Sequence, residues 1–370
     1  MADQIAITAR IPVDGDGREV VFYSRPPWKS EQPRLTGADI RSAAFHLFYL
    51  AVALAIPQSR WEGVCRVLSG RNFQERLIKD FPGFATNLAA VTGARDREKM
   101  RVPFREFLSA NHRALMLLCA DLTKNRWRPR IELKGGDGLA RALDRGRGAI
   151  VWCNPFTTQT TFGKRALHEA GFRCHQVSVP EHGSSGSAFS MRFLRPLLVR
   201  VENRCLAGRI VFDREDTFRM TKAIIAVLRD NGVVLMTNNY YAGSTFAEVP
   251  LGVFGYHQFA TTPVNLAARH GAALFAMSTF ETEPLARYEA VLSPEIAVSP
   301  VGAAGNPTAR NPQAIAGALL QVADLLFADL RRHPEQYLLW HGQAQSVTEG
   351  LAAAATVSES MDGDTPRPDP

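Results

Sequence analysis

The chain has 370 residues, 46% of them hydrophobic and 21% charged, which excludes a disordered polymer and suffices for one large folded domain or two modest ones. A formal net charge of +7 favours anionic partners, namely a phospholipid surface, an acidic carrier protein or nucleic acid, against the plainer reading of a solvated basic face. The five cysteines, 65, 119, 153, 174 and 205, are odd in number and widely spaced, which argues for reduced thiols facing the cytosol and against a disulfide framework or a zinc site.

Residues 1–35 form an N-terminal extension without a secretory signal. Their turn-rich stretches, Asp14-Gly15-Asp16-Gly17 and Pro26-Pro27, predict strand fragments and turns. Residues 36–130 are a helical, membrane-proximal section. Its first apolar run, Ala43 to Ile56, stops at Pro57, well short of the ~20 residues a bilayer-spanning helix needs. A buried helix and an interfacial one both fit; a transmembrane anchor does not. Arg60–Gly70 is a short amphipathic helix. Ala94–Lys124 places Phe104, Phe107, Leu108, Leu115 and Leu118 at helical spacing. Basic clusters flank it at Arg95–Arg101 and Lys124–Arg130. The second, with Trp127 inside, suits a membrane interface, an acidic carrier or a simple solvated corner.

From Ile131 strands and helices alternate. Strands are predicted at Ala149–Cys153, Arg173–Val179, Arg209–Phe212, Val233–Thr237, Ala272–Thr279 and Arg287–Leu292. Helices are predicted at Thr160–Ala170, Thr217–Asp230, Pro263–Gly271 and Pro312–Arg332. This rhythm implies an α/β core, residues 131–345, with a mostly parallel sheet flanked by helices. The polar, proline-rich tail at 356–370 reads as disordered. No phosphate-binding loop or dinucleotide fingerprint follows a strand, and no His, Cys, Asp and Glu set has metal spacing, so neither cofactor nor metal is implied.

The stretch Gly146-Arg-Gly-Ala-Ile-Val-Trp-Cys-Asn-Pro-Phe-Thr-Thr-Gln159 runs a glycine-flanked strand into a polar turn, where α/β proteins gather ligands. Further pieces follow in order: Val179-Pro180, Met191-Arg192-Phe193, Leu228 to Asn239, Val249-Pro-Leu-Gly-Val-Phe-Gly255 with Ala260-Thr261, and His333-Pro-Glu-Gln-Tyr-Leu-Leu-Trp-His341. Together with Phe48–Ile56 and its Pro57 stop, they resemble the lipid A lauroyl/myristoyl acyltransferase family over roughly residues 40–345. The resemblance implies a glycerolipid acyltransferase-like fold. It also implies acyl transfer from a carrier-protein or coenzyme A thioester, on the cytoplasmic side and peripheral to the inner face of the membrane.

The departures bear on chemistry. The family's His-x4-Asp/Glu dyad falls on Asn154 and Gln159, its Asp-Gln pair on Asn238 and Asn239, and the arginine after the closing histidine on Gly342. An amide does not titrate near neutral pH, so Asn154 is no general base, although it can donate to a carbonyl or developing oxyanion. Three reconstructions stay open. A base can come from His175, His182 or His257, with His182 best placed in the loop His-Gly-Ser-Ser-Gly-Ser187, although each histidine also reads as a surface or packing residue. The acceptor can be an amine that needs positioning more than a base, which admits even aminoacyl-tRNA as donor. Alternatively Cys153 is a nucleophile, activated by the following helix N-terminus, against the plain reading of a core cysteine. Thr157, Thr158 and Thr160 supply hydroxyls near the turn and suit helix capping. Arg192 and Arg195 suit phosphate or carboxylate contacts. A non-catalytic lipid- or carrier-binding relative is the competing class.

Overall fold

A computed structural model describes residues 5–12, 18–24, 33–71, 73–123, 128–180, 186–212, 216–238, 244–298 and 312–340. Two strands, β1 (Ala6–Pro12) and β2 (Glu19–Ser24), precede the helices α1 (Gly37–Ala55), α2 (Trp61–Arg71), α3 (Phe73–Lys79), α4 (Phe81–Thr92) and α5 (Arg97–Leu122). Alternation then begins: β3 (Arg130–Lys134), α6 (Gly136–Leu143), β4 (Ala149–Cys153), α7 (Lys164–Glu169), β5 (Cys174–Ser178), α8 (Arg195–Glu202), β6 (Gly208–Val211), α9 (Thr217–Arg229) and β7 (Val233–Thr237). The hairpin β8 (Thr245–Leu251) and β9 (Gly255–Ala260) leads to α10 (Thr262–His270), β10 (Ala273–Glu283), β11 (Arg287–Leu292) and α11 (Pro312–Arg332).

Local chemistry sets several boundaries. Thr36 and Asp39 form a reciprocal capping box at the start of α1. Asp96 accepts from the backbone of Glu98 and Lys99 to open α5, and Asp216 does the same for Arg219 at α9. The capping box starts α1 six residues before the apolar run, so the helix reaches 19 residues. By length and composition α1 and α11 could each cross a membrane. In α1 the face carrying Tyr49 and Val52 is buried, while Ile40, Leu47 and Leu54, one heptad apart, are exposed.

The larger sheet runs β3-β11-β10-β4-β7-β5-β6 among the described residues. β10, β4, β7, β5 and β6 are mutually parallel, and β11 turns back antiparallel against β10, carrying β3 with it. The smaller antiparallel sheet runs β1-β2-β8-β9. The N-terminal segment thus completes a sheet with residues 245–260, through pairs such as Val21 with Glu248 and Tyr23 with Phe246.

Central β4 is buried at every residue, as a parallel strand covered on both faces must be. Its side chains alternate between two cores. Ile150 and Trp152 join the α9, α10, α11 and small-sheet side, while Ala149, Val151 and Cys153 join the α6 and α7 side. Gly148 enters β4 at a φ of +68°, and a Cβ there would lie 2.7 Å from the Leu228 carbonyl oxygen. Only glycine takes that conformation without strain.

Candidate functional site

The turn after β4 is built jointly with the closing segment. Asn154 N–H donates to the Met277 carbonyl at 2.8 Å, and Phe156 N–H to the Asn154 carbonyl at 2.9 Å. Thr157 N–H donates to the Gln336 carbonyl and Leu338 N–H to the Pro155 carbonyl, both at 2.9 Å. The Gln336 side chain accepts from Glu281 N–H and donates to the Glu281 carbonyl, pinning the segment to β10. The Gly146–Gln159 and His333–Trp340 motifs, far apart in sequence, are therefore one structural unit.

Asn154 sits at the carboxyl ends of the parallel strands, 1% exposed. Its Nδ2 donates to Ser278 Oγ at 3.0 Å, and its Oδ1 accepts from Asn238 Nδ2 at 3.4 Å. Ser278 in turn donates to Asp329 Oδ2 on α11. The result is a polar chain, Asn238 to Asn154 to Ser278 to Asp329, crossing from β7 over β4 and β10. Burial holds the Asp329 carboxyl above the usual carboxylate range, against the opposing effects of the Ser278 hydrogen bond and the neighbouring Arg332. A carboxyl with that bias, half-buried on α11 and touching a hydroxyl, holds a proton more readily than an ordinary carboxylate. Sequence reading missed Ser278 and Asp329. A signal existed: Asp329 is seven residues after Val322 and three after Leu326, so an acid sits on the buried stripe of α11.

Gln159 lies elsewhere. Its amide is beside the Cys153 thiol on the opposite side of the sheet, and neither Nε2 nor Oε1 has a hydrogen-bond partner. No hydrogen bond joins it to Asn154, so the two dyad positions are not a pair. Strand alternation is the cause: Cys153 and Asn154 are successive and face opposite ways. Near the same thiol lies the interior ion pair of Lys164 Nζ with Glu202 Oε1 at 2.8 Å, and the Thr157 and Thr279 hydroxyls are buried without partners. Arg209 Nη2 reaches the other Glu202 oxygen at 2.5 Å. Burial lowers the Lys164 pKa, opposed by Glu202. Burial likewise pushes the Cys153 thiol up to about 12, the reverse of the activation a nucleophile needs.

The remaining candidates separate. Thr158 occupies the position before a π-helical turn at Gln159–Gly163 but caps nothing, and its hydroxyl donates to the Thr279 carbonyl at 3.3 Å. His175 stands near the amino end of β5, level with Val234. That is three residues, roughly 10 Å, below the strand ends. His257 is buried on β9 of the smaller sheet against Phe259. Arg192 is exposed, its guanidinium over the Phe193 ring at 5.6 Å. His182, Asn239, His341 and the Thr160 side chain lie outside the described residues. No group of three or more His, Cys, Asp and Glu among the described residues is placed to hold a metal. No protein-family model matches the chain, and no curated protein matches it.

Proposed function

We propose that the protein transfers an acyl group from a carrier-protein or coenzyme A thioester to a hydroxyl or amine acceptor, with Asp329 taking the part of the histidine base. The chain from Asn238 through Asn154 and Ser278 to Asp329 carries this reading, because it occupies the strand ends where the resembled family keeps its dyad. The acceptor attacks the thioester carbonyl, and its proton passes to Ser278 Oγ as the Ser278 proton moves to Asp329. The C–S bond then breaks, and the departing thiolate takes the proton back from Asp329 through Ser278. Asn154 Nδ2 has a second N–H to offer the developing oxyanion. The exposed heptad of α1 and the net positive charge suit work at an anionic bilayer surface on the cytoplasmic side.

One observation favours a second reading. Asn154, Ser278 and Asn238 are all buried, as in a relative that retains the fold and binds a lipid or carrier without chemistry.

Thioester consumption separates the two. Purified protein is offered carrier-protein and coenzyme A donors with pooled hydroxyl and amine acceptors, alongside Asn154→Ala and Asp329→Asn. Turnover in the wild type that both variants lose supports the transferase, and the product mass names the acceptor. Saturable binding of an acyl ligand without turnover supports the second reading. Salt-sensitive capture of tRNA in place of both would move the basic surface to nucleic acid.

A further inference from the structure

A cavity of about 350 Å³ lies between α1, α5 and α8, away from the Asn154 chain. Small-molecule sites typically span ~300–1,000 Å³, so the volume suits a small ligand. The apolar lining is formed by Leu115 and Leu118 of α5, Leu194 just before α8 and Leu198 on it. Ser190 and Arg195 also line the cavity, and α1 contributes Asp39, Ser42 and His46.

Two donors there lack acceptors. Ser190 is 1% exposed, and its Oγ has no hydrogen-bond partner. Arg195 Nε is buried and equally unpartnered. The great majority of buried polar groups are hydrogen-bonded, so an unpaired hydroxyl and an unpaired guanidinium N–H lining one cavity call for an acceptor from outside the chain. The α1 carboxylate does not supply it. Asp39 Oδ2 accepts at 2.7 Å from both the N–H and the hydroxyl of Thr36, and the Arg195 Nε–H has no acceptor. His46 adds a further polar atom. Its Nδ1 lies 2.7 Å from the Ser42 carbonyl, which can only accept, so Nδ1 carries a proton and Nε2 is left for a ligand.

We infer that this cavity binds a small amphipathic carboxylate. The carboxylate head takes the Arg195 Nε–H and the Ser190 hydroxyl, and an alkyl chain of medium length lies along the four leucines. A charge-assisted bond to arginine selects the anion, and the apolar lining selects the tail. This site stands whether or not the protein is a transferase.

Calorimetry with octanoate, octanol and octylammonium tests it on the full chain. The expected result is saturable one-to-one binding of octanoate, with octanol at least tenfold weaker and octylammonium undetected. Arg195→Gln is expected to weaken octanoate at least tenfold while leaving octanol unchanged. Leu118→Trp, which fills the apolar side, is expected to abolish both. Circular dichroism checks that each variant folds; should Arg195→Gln not fold, Ser190→Ala substitutes, with a several-fold loss confined to octanoate. Octanol binding as tightly as octanoate, octanoate indifferent to the head-group variants, or no saturable binding by the wild type would each overturn the assignment. Acyl-transfer activity is read separately with Asp329→Asn, so loss of one reading leaves the other intact.

Discussion

The hydroxyl of Ser278 on β10 donates to the carboxylate of Asp329 on α11 while accepting the side-chain amide of Asn154. This bond links the sheet to the helix that covers it, and it places an acid where the sequence shows none near the β4 turn. Burial raises the Asp329 pKa, so the base form is reached at a higher pH than for an ordinary carboxylate of about 4. The acid limb of kcat/KM is therefore expected to lie above that value, and Asp329→Asn to lower the rate by ~10²–10⁴ and erase the limb. An unchanged profile in the variant would remove Asp329 from the chemistry.

Stability has its own sign at Asp329. A carboxyl with a raised folded pKa adds stability below its unfolded pKa, and that contribution is lost as pH rises through the folded value. Asp329→Asn keeps an acceptor for Ser278 and has no charge to bury. Denaturant unfolding is expected to show the variant gaining on the wild type between acid and neutral pH; a variant that loses ground to the wild type over that range would contradict the shift.

Asn154 and Asn238 should differ in weight. Asn154 is bonded on both sides, and its Nδ2 is placed to donate to an oxyanion, so Asn154→Ala is expected to reduce kcat by ~10²–10³. Asn238 contributes one long bond of 3.4 Å, and Asn238→Ala should act mildly. Side-by-side turnover of the two variants checks the order.

The Lys164–Glu202 pair is a stability element. Lys164 and Glu202 side chains are 1% and 0% exposed, so Glu202→Gln strands a buried ammonium beside Arg209. Breaking such a pair typically costs ~3–5 kcal/mol. Urea unfolding should report a loss of that order, and a loss below ~1 kcal/mol would mean that the interior relaxes around the change.

Two glycines in one motif provide an internal control. Gly146 and Gly148 both have positive φ, +72° and +68°, but a Cβ at Gly146 meets open space whereas one at Gly148 meets the Leu228 backbone. Gly146→Ala carries backbone strain alone, about 1 kcal/mol, and Gly148→Ala is expected to lose clearly more, up to ~3 kcal/mol. Equal melting temperatures for the two variants would refute the steric argument.

Much of the α/β core was legible. The strands Val233–Thr237 and Arg287–Leu292 and the helix Pro312–Arg332 occupy the very residues their periodicity marks. The smaller sheet was not, because β2, short and paired locally with β1, finds its other partner more than 200 residues away in β8. At the site, Asn154 and Asn238 were legible from their places in the motifs. The family resemblance puts Gln159 in the site with Asn154, but its amide lies beside Cys153, which faces the other side of the sheet. The capping expected of Thr158 is not made, and its hydroxyl donates instead to the Thr279 carbonyl of β10.

The sequence by itself determined the alternating strands and helices, the glycine-led entry to the central strand, and the non-titrating amides at Asn154 and Gln159. Each depends on residues within one element or turn. The tertiary structure alone decided which side chains meet. Asn154 joins Ser278 and Asp329, and Gln159 joins Cys153 and Lys164, because neighbouring residues of a strand point to opposite faces and each face has its own covering helices. Burial then sets the chemistry, raising Asp329 and Cys153 and lowering Lys164, through desolvation that no local pattern encodes.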